Sequence, residues 1–255
     1  MPDIDPLWLE RLYDADPATH ALAVWDRLAW PESVEFWTLL EENVPRAYLL
    51  VWKGLPGCPV LHWVGSTDSP EPMLERVPPR PLLAIIDPEV GELLRRERGP
   101  TIEYTLRFRQ RWGPAPDPEQ GRPVRRLTPE DRGALRALAE GDHSSVTDTY
   151  LSIDLHHEWV VGGFDGAELV AVARAEVRLP RVWHVSGVFT VPRARQRGWG
   201  RAVVAQLLRD ADSIGAGSAL FVRDDNTAAR ALYDALGFDT GVPRLWVDAG
   251  AERSP

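Results

Sequence analysis

Cysteine is almost missing: Cys58 is the single thiol in 255 residues. It can close no internal disulfide and lacks the spaced partners of a zinc or redox motif, so disulfide scaffolds and cysteine metal centres are excluded and a reducing compartment is the natural reading. Long hydrophobic runs are missing too. The longest, Tyr48–Trp52 and Leu82–Ile86, fall far short of the ~20 apolar residues that a membrane-spanning helix needs. The opening Met1-Pro2-Asp3-Ile4-Asp5 is acidic where a secretory signal is basic. A cytoplasmic location with no membrane partner is expected. Positive charge is in deficit, with 29 Lys and Arg against 38 Asp and Glu and a net charge of −9. The chain as a whole therefore repels nucleic acid and anionic surfaces, and an anionic ligand must be met by local positive charge. Lysine is scarce as well; Lys53 is the only one, and this reads as coding bias. What is present, 44% hydrophobic and 26% charged residues, excludes disordered and fibrous classes.

The stretch Gly113-Pro114-Ala115-Pro116-Asp117-Pro118-Glu119-Gln120-Gly121 combines proline, glycine and charge as no helix or strand would. It divides the sequence into an N-terminal α/β domain over 1–112, a linker over 113–122 and a second domain over 123–255. In the first, Asp5-Pro6 and Asp16-Pro17 read as helix starts and Trp30-Pro31-Glu32 as the opening of a third helix. Strands follow at Arg46–Trp52, Pro59–Val64 and Pro81–Ile86, then a short helix at Pro88–Arg96. Thr101–Trp112 alternates, with Ile102, Tyr104, Leu106 and Phe108 on one face and Glu103, Thr105, Arg107 and Arg109 on the other.

In the second domain, Pro123–Leu127 reads as a strand and Thr128 as the cap of a helix; Gly141–His157 is ambiguous. Glu158–Phe164, the turn Asp165-Gly166 and Glu168–Arg178 form a hairpin, and Val182–Val191 adds an antiparallel strand. A helix from Gly198 to Ile214 repeats Val203, Val204, Leu207, Leu208, Ala211 and Ile214 at spacings of three and four. Ser218–Val222 is a strand, Thr227–Leu236 a helix, and Leu245–Val247 part of a last strand.

Chemistry concentrates in Val188-Phe189-Thr190-Val191-Pro192-Arg193-Ala194-Arg195-Gln196-Arg197-Gly198-Trp199-Gly200-Arg201. A strand stops at proline, and a glycine-containing turn opens an amphipathic helix. The first amides of a helix point out of its end, where the macrodipole adds roughly half a positive charge. Gly198 and Gly200 keep side chains away from that backbone and permit unusual dihedrals, while Arg195, Arg197 and Arg201 supply the local cation that the acidic chain requires. The turn lacks the lysine and Ser/Thr of a P-loop and follows antiparallel hairpins, which excludes a dinucleotide fold. A nucleic-acid patch is opposed by the net charge and by the lack of an aromatic stacking platform. His156-His157-Glu158 shows no metal site, because adjacent strand histidines face opposite ways.

These residues resemble the GCN5-related N-acetyltransferases. Arg195-Gln196-Arg197-Gly198-Trp199-Gly200 fits their acetyl-CoA signature, with Pro192 six residues before the first glycine, and Asn226-Thr227-Ala228-Ala229-Arg230-Ala231-Leu232-Tyr233-Asp234-Ala235-Leu236-Gly237-Phe238 matches a second family pattern in the right order. Val188-Phe189-Thr190-Val191-Pro192 is similar to the FR47-like branch. The resemblance covers about Pro123 to Val247. It implies a mixed, mostly antiparallel α/β fold flanked by helices, with the first half resembling a degenerate copy.

It also implies acetyl-CoA as acyl donor, an amine acceptor of unidentified structure, and no metal. By the same resemblance, backbone groups of Val188, Phe189 and Thr190 pair with the pantetheine arm, Gln196 to Arg201 hold the pyrophosphate, Asn226 contacts the coenzyme, and Tyr233 donates a proton to the leaving thiolate. The base varies within the family; His184 and Glu176, on strands leading to the site, are the candidates here, ahead of Ser186. Since the only thiol lies in the other half, direct attack in a ternary complex is expected. The alternative is a protein that holds acyl-CoA as a sensor without turnover.

Overall fold

The computed structural model describes residues 6–42, 44–54, 58–65, 68, 70–78, 82–98, 102–117, 121–141 and 150–248. Residues 142–149 of the ambiguous 141–157 stretch lie outside them. The chain is a mixed α/β protein with mostly antiparallel strands flanked by helices. It falls into two compact units that do not follow chain order: Met1–Phe108 with Val222–Asn226 and Gly241–Pro255, and Arg109–Phe221 with Thr227–Thr240.

The first unit begins with helices α1 (Pro6–Ala15) and α2 (Pro17–Ala29), the latter capped by the Asp16 side chain, which accepts the Thr19 amide at 3.3 Å. Strands β1 (Val34–Glu41), β2 (Val44–Trp52) and β3 (Val60–Gly65) are antiparallel neighbours. The short helix α3 (Glu71–Leu74) then carries the chain to β4 (Leu83–Ile86), which lies parallel to β3. Helix α4 (Pro88–Arg98) and β5 (Ile102–Arg111) follow. The run Tyr48–Val51 is apolar without alternation because both faces of β2 are covered. Tyr48 and Leu50 pack with Leu9 and Ala23 of the first two helices, whereas Leu49 and Val51 join Leu61, Trp63, Met73 and Val90 on the other side.

Three expectations change here. Trp30-Pro31-Glu32 opens no third helix: a single 3-10 turn, Pro31–Ser33, gives way at once to β1. Val34, Phe36, Trp37 and Leu39 there gain a paired strand and two apolar layers, which outweighs a helix-start signal. The last strand, β11 (Val242–Asp248), lies between β4 and β5, antiparallel to both, so the chain end completes the first unit's sheet; Val247 is buried in that core, with Leu245 packed against it. Finally, the alternation read in β5 fails toward both ends: Arg109 on the expected polar face is 2% exposed, and Tyr104 on the expected apolar face is 40% exposed.

In the second unit, β6 (Val124–Arg126), β7 (Trp159–Asp165), β8 (Glu168–Arg178) and β9 (Val182–Thr190) form an antiparallel series, and β10 (Gly217–Arg223) joins parallel to β9. Gly166, at φ +63°, makes the tight turn between β7 and β8. Helix α5 (Arg132–Glu140) packs on β8, and α6 (Trp199–Asp212) lies across β7, β8 and β9. The apolar stripe of α6 is buried at Val203, Val204, Leu207, Leu208 and Ala211, each larger side chain being worth ~1.5–3 kcal/mol relative to exposure. Ile214 departs from the stripe: the helix ends before it, and it is 57% exposed. Helix α7 (Thr227–Ala235) follows β10. Among the described residues no helix is long and apolar enough to cross a membrane.

Candidate active site

The site begins where β9 leaves its partner. The parallel ladder between β9 and β10 runs from Val182–Gly217 to Val185–Leu220 and stops, although β9 continues to Thr190 and β10 to Arg223. Ser186–Thr190, which include Val188, Phe189 and Thr190, therefore extend beyond the ladder while β8 supports their other edge as far as Ala171–Thr190.

That supported edge is itself bulged. Between Arg174–Ser186 and Val172–Phe189, β9 fits Gly187 and Val188 against the single Ala173 of β8. Gly187 takes φ +58°, and a Cβ there would meet the Tyr150 hydroxyl at 2.8 Å. Tyr150, 1% exposed, donates its O–H to the Gly187 carbonyl. Nothing in the sequence pattern singled out Tyr150, which lies within the stretch that the sequence left ambiguous.

Past Thr190 the chain makes a 3-10 turn, Pro192–Ala194, and enters α6 through Gly198, which serves as N-cap at φ +81°. Among the described residues no side chain caps this end, and the first intrahelical bond runs from the Ala202 amide to the Gly198 oxygen at 3.0 Å. The amides of Trp199 and Gly200 precede that bond and point out of an uncapped helix. The two glycines divide the roles expected of both. Only Gly198 needs a positive φ; Gly200 is helical, and a Cβ on it would lie 3.3 Å from Thr190 Oγ1 and 3.7 Å from Leu232 Cδ2. The second left-handed residue is Gln196, at φ +57°, a conformation that costs a non-glycine residue roughly 1–2 kcal/mol. Trp199 contributes backbone alone, its ring being buried against Gly163.

The arginines around the turn are individually anchored. Arg195 donates through Nε to the Thr190 carbonyl at 3.1 Å, Arg193 pairs with Glu168, and Arg197 lies 3.7 Å from Asp165. The Arg193 and Arg197 pairs are mostly solvent-exposed, so an incoming polyanion displaces them at little cost. Arg201 sits half-buried in the first turn of α6. One further arginine reaches the turn from outside the motif: Arg122 Nε donates to the Arg197 carbonyl at 2.6 Å, and its guanidinium lies 2.8–3.0 Å from where a Gly198 Cβ would be. Its position before β6 carried no sequence signal.

The three proton-transfer candidates occupy different settings. Glu176 forms the extra residue of a second bulge, in β8, and is ion-paired with Arg174 Nη2 at 3.1 Å; the same guanidinium holds Glu158 at 3.0 Å and Ser186 Oγ at 3.0 Å. His184 is 3% exposed on the laddered part of β9, with its ring 5.2 Å from that of Phe221. Tyr233 is buried in α7, edge-on to Phe238 at 5.6 Å. Burial pushes its phenol up to about 12, with the Arg109 cation pulling the other way, so it carries its proton through neutral pH. Burial also raises the Tyr150 phenol, with Glu158 and Tyr233 among the groups that add to the rise and Arg174 opposing it. Asn226 precedes α7 and donates its amide to the Arg223 carbonyl at 3.0 Å; by contact it belongs to the first unit. Among the described residues no three His, Cys, Asp or Glu side chains gather to hold a metal ion.

A strand thus overruns its parallel neighbour and leads into an uncapped, arginine-ringed helix start. Residues 126–238 match the acetyltransferase (GNAT) family model. The fold is shared with solved structures across both halves. A Drosophila protein aligns at TM-score 0.68 and 16% identity, over 94% of this chain and 93% of that one. A GCN5-related N-acetyltransferase from Kribbella flavida aligns at TM-score 0.58 and 16% identity, over 91% and 95%. A tandem GNAT protein from the clavulanic acid biosynthesis pathway aligns at TM-score 0.53 and 12% identity, over 89% and 87%. No curated protein sequence matches the chain significantly.

Proposed function

We propose that the protein transfers an acetyl group from acetyl-CoA to a primary amine by direct attack. The observation that carries this reading is the uncapped start of α6 at Gly198, with the five-residue overrun of β9 leading to it. The backbone from Gln196 to Arg201 would bind the pyrophosphate, and Val188–Thr190 would pair with the pantetheine arm in place of β10. The kinship of Val188–Pro192 with the FR47-like branch and the tandem GNAT neighbour support a two-part enzyme of this kind.

In the reaction, the amine lone pair forms the new C–N bond, the C–S bond breaks, and the departing sulfur takes a proton from Tyr233. The proton lost by the amine goes to a base or a water. Of the two candidates Glu176 is the better supported, since its side chain is 42% exposed while His184 is buried. An acyl-enzyme is disfavoured because the only thiol, Cys58, lies in the first unit. The lone cysteine also supports a cytoplasmic location.

The test pairs calorimetry of acetyl-CoA binding with thiol release across a panel of polyamines, amino acids and aminated antibiotics. Binding together with thiol release dependent on one of these amines is expected. Tight binding with no release for any of them would leave a sensor in place of an enzyme.

A further inference from the structure

Arg109 is a buried cation of the second unit with four hydrogen-bond partners. At 2% exposure it sits at the end of β5 and donates from all three guanidinium nitrogens. Nη2 reaches the Asp234 carboxylate at 2.6 Å and the Phe238 carbonyl at 2.9 Å, Nη1 reaches the Arg230 carbonyl at 3.2 Å, and Nε bonds the Asp239 carbonyl. These partners bracket Tyr233: Arg230 and Asp234 flank it on α7, and Phe238 packs its ring against the phenol ring. A planar fork held at four points fixes the last turn of a helix more rigidly than any neutral cap. The cation also meets the negative end of the helix dipole.

We propose that Arg109 is the positioning residue of the proton donor, clamping the C-terminal turn of α7 so that the Tyr233 hydroxyl is held toward the leaving sulfur. The inference rests on the acetyltransferase reading above. The same charge acts on the phenol itself: it opposes the burial that raises Tyr233 and so makes the O–H a better donor. A lysine at this position would keep the charge but lose the fork.

The probe is CoA alone, with its bound thiol titrated by the ultraviolet absorbance of the thiolate, so no acceptor is needed. A donor at the sulfur stabilises the thiolate, and the bound thiol is expected to titrate below free CoA. Tyr233→Phe should raise the midpoint by about one pH unit and Arg109→Lys by about half a unit or more, each with CoA affinity within about twofold of the native protein. The double variant should match Tyr233→Phe alone, because the arginine acts only through the tyrosine.

An Arg109→Lys midpoint equal to the native one, or a full further shift in the Tyr233→Phe background, overturns the positioning role. A Tyr233→Phe midpoint that stays put removes the tyrosine's role and this inference together, while intact CoA binding keeps the donor assignment. Failure of the native protein to bind CoA sinks the acetyltransferase reading itself. Should Arg109→Lys not fold by circular dichroism, Asp234→Asn cuts one arm of the clamp at an exposed carboxylate. It should give a smaller shift of the same sign that vanishes in the Tyr233→Phe background; no shift, or one that persists there, overturns the proposal.

Discussion

Both units contain the same piece of topology, three antiparallel strands followed by a crossover to a parallel fourth, and the proposed site uses only the second. In the first unit the ladder from Val60–Leu83 to Trp63–Ile86 runs to the end of β4, and β3 outruns it only by Val64 and Gly65, which pair with β2 on their other edge. In the second, the ladder ends at Val185–Leu220 while both strands run on. The helices differ in kind as well. The first crossover carries the 4-residue α3, with Met73 fully buried; the second carries the 14-residue α6, entered through a left-handed glycine. Even the glycine that ends β3 is shut in, since a Cβ on Gly65 would lie 2.3 Å from the Arg46 carbonyl. A parallel crossover is therefore scaffold. The proposed site depends on strands that part and on a helix start that no side chain caps among the described residues.

The sharpest way to break this contrast is to close the open helix start. Gly200→Glu puts bulk against Thr190 and Leu232 and a negative charge where the pyrophosphate would lie. Its dissociation constant for acetyl-CoA, by calorimetry, should rise at least ~100-fold, or about 2.7 kcal/mol. A charge reversal on exposed α3, Glu71→Arg, should leave binding unchanged. Equal behaviour of the two variants, with folding verified, would mean that the crossovers are equivalent and the site lies elsewhere.

The helices after the parallel strands provide the next test. Helix α4 contains no tyrosine, whereas α7 buries Tyr233. Tyr233→Phe should lower kcat at least ~10-fold, about 1.4 kcal/mol of barrier, with KM for acetyl-CoA unchanged. An unaltered kcat would leave the cradle as the sole functional difference between the halves.

The turn into α6 was legible in the sequence because Gly-x-Gly at a strand-to-helix turn is a local signal, set by backbone needs over a few residues. Gln196 was less legible: a positive φ at glutamine is imposed by its surroundings and has no composition of its own. Long-range effects were silent. The pairing of β11 between β4 and β5 depends on register with strands far back in the chain, and nothing in Val242–Asp248 states which edge it will join. Arg109 looked like a solvent-facing member of an alternating strand, yet the carbonyls at the end of α7 draw it inward. Tyr150 shows the same limit. Its role comes from the Gly187 carbonyl turned out by a bulge, which only the β8–β9 register reveals.

The smallest expected effect tests whether the second crossover borrows charge from beyond its own motif. Arg122 bonds the Arg197 carbonyl and leans over Gly198, which adds a cation to a turn where Arg193 and Arg197 are already engaged by Glu168 and Asp165. Because Arg122 is partly exposed, its contribution to anion binding should stay within the ~0–1 kcal/mol of a surface pair. Arg122→Gln should thus weaken acetyl-CoA binding only about threefold and flatten its dependence on salt, while Arg195→Gln, which frees the Thr190 carbonyl as well, costs more. A threefold loss that persists at high salt would instead mark Arg122 as a prop for the Arg197–Gly198 backbone. The local positive charge would then come wholly from the motif and the helix end.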